Sequence, residues 1–152
     1  ESKATREKVL DLGVSQISGG SRTSVGGYVE PEEEEENSAQ FDVSDTRTLD
    51  EVVNWLLELG YIPSFCTACY REGRTGDRFM TLVKSGQIAN CCQPNALMTL
   101  KEYLVDYASE DTREKGERVI AEELGKVKSD KIRAIAARNL EEIEHGKRDF
   151  RF

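Results

Sequence analysis

The sequence predicts a mainly α protein, with most of its helix in the last hundred residues. Three observations carry this expectation. Apolar residues recur at helical spacing in successive segments after residue 48. Helix start and stop signals bracket those segments. Only one short stretch, Val14 to Ser18, alternates apolar and polar side chains as a strand does.

Residues 1 to 12 read as the end of a helix, with Val9, Leu10 and Leu12 apolar and Gly13 breaking it. The strand over Val14 to Ser18 follows. Gly19 to Tyr28 is rich in Gly and Ser and reads as a loop, and an acidic run, Glu30 with Glu32 to Glu36, comes next. That run has no core face and reads as a solvated turn.

Order resumes at Thr48. Thr48-Leu49-Asp50-Glu51 fits a capping box, in which the Thr hydroxyl and the Glu carboxylate satisfy free backbone N–H groups reciprocally. Leu49, Val52, Val53, Leu56 and Leu57 form the apolar stripe, and Gly60 stands where a helix-ending glycine belongs. Pro63 disfavours a helical Ile62, so Tyr61 to Cys66 is extended. A short helix over Gly76 to Val83 ends at Ser85-Gly86. Pro94 suits the first turn of a longer helix, lined by Leu97, Leu100, Leu104 and Tyr107. Asp111 and Glu114 look like a second capping box, with Val119, Ile120 and Leu124 on the buried side. Ser129 caps a last helix carrying Ile132, Ile135, Leu140 and Ile143.

A net charge of −8 with no basic face argues against nucleic-acid binding. No apolar run approaches the roughly 20 residues of a membrane span. The N-terminus is charged and polar rather than a signal peptide, which points to the cytoplasm. The absence of an initial Met and the isolation of the one strand suggest a piece of a longer protein.

The four cysteines fall as Cys66-x2-Cys69, then 22 residues, then Cys92, with Cys91 adjacent. Without a secretory signal, this spacing points to metal or redox chemistry rather than a disulfide framework. A C-x-x-C turn brings two thiolates to one metal centre, and a distant third would pin a loop onto the helices. Loss of metal is expected to release residues 61 to 92, which have few apolar anchors of their own.

Four readings stay open on pattern alone: an iron–sulfur cluster, structural zinc, a thioredoxin-like redox pair, and inert buried thiols. Zinc usually wants four protein ligands, and the sole histidine, His145, lies in a charged tail. The redox pair needs a βαβ setting, which the helical surroundings do not offer. Iron–sulfur therefore leads, and three ligands would leave one iron open to an exogenous group. Arg71, Arg74, Arg78 and Lys84 lie near the pair. They fit either as counter-charges for an anionic cluster or as the mixed-charge surface of an exposed helix. In the Gly/Ser loop, the glycines permit close approach and Arg22 could hold a carboxylate, although from chemistry alone a flexible loop is the favoured reading of the segment.

Two segments resemble one family. Leu12-Gly13-Val14-Ser15-Gln16-Ile17-Ser18-Gly19-Gly20-Ser21, running to Gly26-Gly27-Tyr28, looks like the last barrel segment of the tyrosine-cleaving radical SAM enzymes. Cys66-Thr67-Ala68-Cys69-Tyr70-Arg71, with its third cysteine at 92, resembles the C-x2-C-x22-C motif of the branch that matures [FeFe]-hydrogenase. The resemblance implies a radical SAM (βα)8 barrel, mostly absent from this chain, that binds S-adenosylmethionine on a first [4Fe–4S] cluster. It implies cleavage of tyrosine, with CO and cyanide formed at an auxiliary [4Fe–4S] cluster. That cluster carries an additional iron together with free cysteine, and hydrogenase maturation proteins accept the product.

By the same resemblance, residues 1–47 end the barrel and residues 48–152 form a helical auxiliary-cluster domain. Cys66, Cys69 and Cys92 are metal ligands, and Ser21 and Arg22 contact tyrosine or the methionine end of the cofactor. The C-x3-C-x2-C motif of the first cluster does not occur here, so the chain alone is expected to be inactive. The alternative from another class is a zinc-stabilised helical interaction module without catalysis.

Overall fold

The computed structural model describes residues 2–22 and 45–152, so most of the Gly/Ser loop and the acidic run lie outside the described residues. The chain is helical, and no strand occurs among the described residues. Its contacts divide into two units, Glu1–Val52 and Val53–Phe152.

In the first unit, Ser2 caps α1 (Lys3–Asp11) by accepting the Thr5 N–H, and Gly13 ends the turn at φ +94°. The expected strand over Val14 to Ser18 does not form. A strand requires a neighbour to complete its hydrogen-bond ladder, and these residues instead run exposed and unladdered. Gly19 and Gly20 have a packing role. A Cβ on Gly19 would lie 3.0 Å from Val52 Cγ1, and one on Gly20 would lie 3.1 Å from the Leu49 nitrogen. Their close approach is to the start of α2 (Leu49–Glu58). Asp45 binds Arg6 and Arg47, whose nearest nitrogens stand at 2.5 and 2.7 Å. The Arg47 hydrogen bonds, against the cost of burial, hold the Asp45 carboxyl down at about 2.

The capping box forms as expected: the Thr48 N–H donates to Glu51 at 2.7 Å, and the Glu51 N–H donates back to the Thr48 hydroxyl at 3.3 Å. The far end of α2 closes in a Schellman motif, with Gly60 N–H on the Leu57 carbonyl and Tyr61 N–H on the Leu56 carbonyl. Gly60 takes φ +81°, which a side chain would resist.

In the second unit, α5 (Ala89–Asp106), α6 (Glu110–Gly125) and α7 (Asp130–Glu144) pack together. Leu97, Met98, Leu100 and Leu104 of α5 meet Ile120, Leu140 and Ile143, and Val53 and Leu57 of α2 join the same core. Each such side chain contributes about 1.5–3 kcal/mol on burial. Asn54 and Glu58, which interrupt the apolar run of α2, serve as ties to α6. Asn54 donates to the Thr112 hydroxyl at 2.9 Å, and Lys115 donates to Asn54 Oδ1 and to Glu58 at 2.9 and 2.8 Å.

Three sequence expectations shift here. Ser109, rather than Asp111, is the N-cap of α6 and accepts the Thr112 N–H; Asp111 instead pairs with Lys115 at 2.7 Å. Tyr107 does not line the α5 core: the helix stops at Asp106, Tyr107 leaves at φ −137°, and its side chain is 77% exposed. Pro94 is inside α5, not in its first turn. The helix starts earlier because Cys91 and Cys92 N–H groups both reach back to the Ile88 carbonyl, at 3.1 and 2.8 Å. Proline then removes only the bond that would have gone to the Asn90 carbonyl. Ser129 caps α7 as expected.

Candidate metal centre

All four cysteines are free thiols in the second unit. Cys66 ends the extended stretch that Pro63 imposes. Cys69 lies in α3 (Ala68–Arg71), a four-residue helix too short to leave a periodic signal in the sequence. Cys91 and Cys92 share the first turn of α5. The C-x-x-C turn carries its own hydrogen bond: the Ala68 N–H donates to Cys66 Sγ at 3.4 Å. Such N–H···S bonds favour the thiolate, the form that ligates metal.

The thiols share one electrostatic neighbourhood. Partial burial pushes the Cys92 thiol up, the Cys69, Cys66 and Cys91 thiols push it the same way, and Arg74 opposes them. Cys92 keeps contact with solvent, so its neighbours are the better guide to the site than its burial. Among the described residues, no three Cys, His, Asp or Glu side chains are gathered closely enough to hold a single metal ion. His145 is exposed at the end of α7, its Nδ1 2.8 Å from the Glu141 carbonyl oxygen.

The loop that carries Cys66 and Cys69 has more anchors than its sequence suggests. Phe65 stacks on Tyr103 of α5 with ring centroids 5.1 Å apart, and its N–H donates to the Thr99 hydroxyl at 3.2 Å. Ala68 is 3% exposed. Residues 149–152 strap the loop from the other side. Arg71 forks onto Asp149, with Nη2 at 2.8 Å from Oδ2, and Arg151 Nε reaches Glu72 at 2.7 Å. Asn95 accepts the Phe152 N–H at 2.9 Å. The expectation that residues 61 to 92 have few apolar anchors of their own is modified only in part: Phe65, Ala68 and residues 149–152 supply protein contacts to the loop.

The donor set fits an iron–sulfur cluster. Three thiols are presented from two segments, one of them at a helix N-terminus, where the macrodipole favours negative charge. Arg74 supplies a cation: its Nη1 donates to Cys91 Sγ at 3.5 Å and its Nη2 to the Phe152 carbonyl at 2.7 Å. Sequence reasoning grouped Arg74 with three other cations and had no signal to separate it from them.

Ser21 and Arg22 belong to the first unit, where Arg22 Nη1 donates to the Thr46 carbonyl at 2.9 Å. No helix among the described residues is long and apolar enough to cross a membrane.

Residues 1–62 match the Biotin and Thiamin Synthesis associated domain. No curated protein sequence matches the chain. Among solved structures, the chain is similar to one described as "Crystal structure of HydG: A maturase of the [FeFe]-hydrogenase", with 51% identity and a TM-score of 0.90. The match covers all of this chain and 32% of that one, so the chain spans about a third of its relative's length. The match, together with the associated domain at residues 1–62, makes the chain similar to HydG and fits the C-terminal portion of that maturase.

Proposed function

We propose that this chain is the C-terminal part of a radical SAM tyrosine lyase that makes CO and cyanide from tyrosine and builds an iron–carbonyl–cyanide unit for [FeFe]-hydrogenase. The observation that carries this reading is the shared neighbourhood of Cys66, Cys69 and Cys92 in a chain 51% identical to a hydrogenase maturase. In this assignment residues 1–47 end the barrel and residues 48–152 form the helical domain that holds an auxiliary [4Fe–4S] cluster. Three thiolates on a four-iron centre leave one iron open, so such a cluster supplies a position for an exogenous ligand. The additional iron and free cysteine are cargo at that position.

Each part of the chain has a distinct task. Cys66 and Cys69 present two thiolates from one turn, and Cys92 presents the third from the start of α5. A cubane binds each thiolate through a different iron, so its ligands stand farther apart than the ligands of one zinc, at about 2.3 Å from the metal. Phe65 and the strap hold the loop in register with α5. Ser21 and Arg22 contact tyrosine or the methionine end of the cofactor. S-adenosylmethionine and the first [4Fe–4S] cluster belong to the barrel preceding this chain, and hydrogenase maturation proteins receive the product. The isolated chain lacks the C-x3-C-x2-C motif and does not cleave tyrosine.

Anaerobic reconstitution with iron and sulfide tests the reading. It is expected to give about four irons per chain and a brown chromophore. One zinc per chain and no iron refutes it. Cys92→Ser is expected to abolish iron binding while Cys91→Ser leaves it intact; the reverse result moves the third ligand to Cys91.

A further inference from the structure

Four cations lie near the thiols in the sequence, and the structure distinguishes them. Arg71 is committed to Asp149. Arg78 donates to the Glu72 carbonyl at 3.3 Å. Lys84 sits at the far end of α4 (Gly76–Lys84). Arg74 is the one that donates to a cysteine sulfur among the described residues.

The guanidinium of Arg74 is used on two sides. One amino group holds Cys91 Sγ at 3.5 Å, and the other holds the Phe152 carbonyl at 2.7 Å. Its third nitrogen, Nε, is buried and has no acceptor among the described residues. A buried donor without a partner is costly. Arginine presents its donors in one rigid plane, so a group fixed at sulfur and carbonyl cannot rotate to satisfy the third.

We propose that Arg74 is the positioning residue of the metal centre: it ties Cys91 to the strap and fixes a cation beside the anionic cluster held by Cys66, Cys69 and Cys92. The proposal rests on the cluster reading given above. Two consequences follow from the geometry. Cys91 is held by a guanidinium and stays outside the ligand set, which leaves its neighbour to bind iron. The cluster also has a fixed cation beside it, and charge near the sulfurs helps set the reduction potential of such clusters.

The test uses this chain, reconstituted anaerobically as wild type, Arg74→Lys and Arg74→Gln. Iron per chain is measured first, then the reduction potential by a titration with a low-potential chemical reductant followed by electron paramagnetic resonance. Wild-type iron loading with a shift to more negative potential is expected for Arg74→Gln, because an electron is then added to an anionic centre without its counter-charge. Arg74→Lys keeps the charge and is expected to shift less. A role confined to packing would lower thermal stability and leave the potential unmoved. An unchanged potential in iron-loaded Arg74→Gln therefore overturns the proposal.

Wild type labelled with 15N-arginine supplies a measurement that does not depend on any variant folding. Pulsed resonance on the reduced centre is expected to show coupling to a guanidinium nitrogen, and its absence overturns the proposal as well. Failure of the wild type itself to bind iron is a different result, which removes the cluster reading rather than the role of Arg74 within it.

Discussion

Gly116 of α6 tests whether the helical frame behind the thiols is as tightly fitted as its geometry indicates. Gly116 is buried, and a Cβ built on it would lie 2.4 and 2.6 Å from the two methyl carbons of Leu104 and 3.1 Å from Leu104 Cγ. Leu104 is 1% exposed, so its side chain has no open space to turn into. Gly116→Ala brings two opposed effects. Helix propensity gains about 1 kcal/mol when Ala replaces Gly. Overpacking a closed core costs about 1–3 kcal/mol, and contacts this far inside van der Waals distance put the cost at the upper end.

The net loss is then about 2 kcal/mol, equivalent to a melting temperature lower by roughly 4–8 °C for a chain of this size. Thermal melts followed by circular dichroism measure it. A second variant sharpens the test. Leu104→Ala alone removes a buried side chain at a cost of about 2–5 kcal/mol. Adding Gly116→Ala to it is expected to be less damaging than in wild type, because the clash is gone and the cavity is partly filled; a double-mutant cycle reads that coupling. A melting temperature unchanged or raised by Gly116→Ala refutes the reasoning, since it requires α6 to move away from α5 at little cost.

Other perturbations separate charge from packing. Asp45 is held at about 2 against an ordinary 3.8, so it contributes stability that is present above about pH 4 and lost as pH falls toward 2. Asp45→Asn is expected to remove about 2 kcal/mol at neutral pH and to flatten the acid limb of a pH-dependent unfolding curve. A wild-type-like limb in the variant argues against it. Lys101 is 8% exposed and bridges α5 to Glu117 of α6 and Glu144 of α7 at 2.5 and 2.6 Å. Lys101→Met leaves two carboxylates that already reach water, and denaturant unfolding is expected to shift by less than about 1 kcal/mol. The double change Glu117→Gln, Glu144→Gln strands a buried cation and is expected to cost more than Lys101→Met; the opposite order contradicts this account. Chelating the iron is expected to leave helical circular dichroism largely unchanged, because Phe65, Tyr103 and the strap hold the cysteine loop. A large loss of helix on chelation contradicts that.

Where local chemistry decides structure, the sequence was legible. The Thr48–Glu51 box, the Gly60 ending and the Ser129 cap all rest on groups within a few residues of one another, and each forms as read. The stripe of α2 was nearly right: Val52, Val53, Leu56 and Leu57 are buried. Leu49 in the first turn is 42% exposed, and Trp55 is buried although it lies off the stripe. The failures share a cause. Val14 to Ser18 has strand alternation, but alternation makes a strand only when a partner completes the ladder. Pro94 fits a first turn on propensity, yet the bonds of Cys91 and Cys92 to the Ile88 carbonyl start the helix before it. Asp111 and Glu114 mimic a cap, and the packing of Thr112 against Asn54 gives that role to Ser109.

The sequence by itself determined a mainly α chain, the spacing of three thiols, and the local signals that begin and end several helices. These are short-range properties of bond geometry and side-chain chemistry. Only the tertiary structure decided that Phe65 and residues 149–152 hold the cysteine loop, and that Arg74 among four nearby cations reaches a cysteine. Those outcomes join residues up to 79 positions apart, as in the hydrogen bond from Arg151 to Glu72. Contacts across such separations depend on how α5, α6 and α7 stack, and no local pattern encodes that stacking.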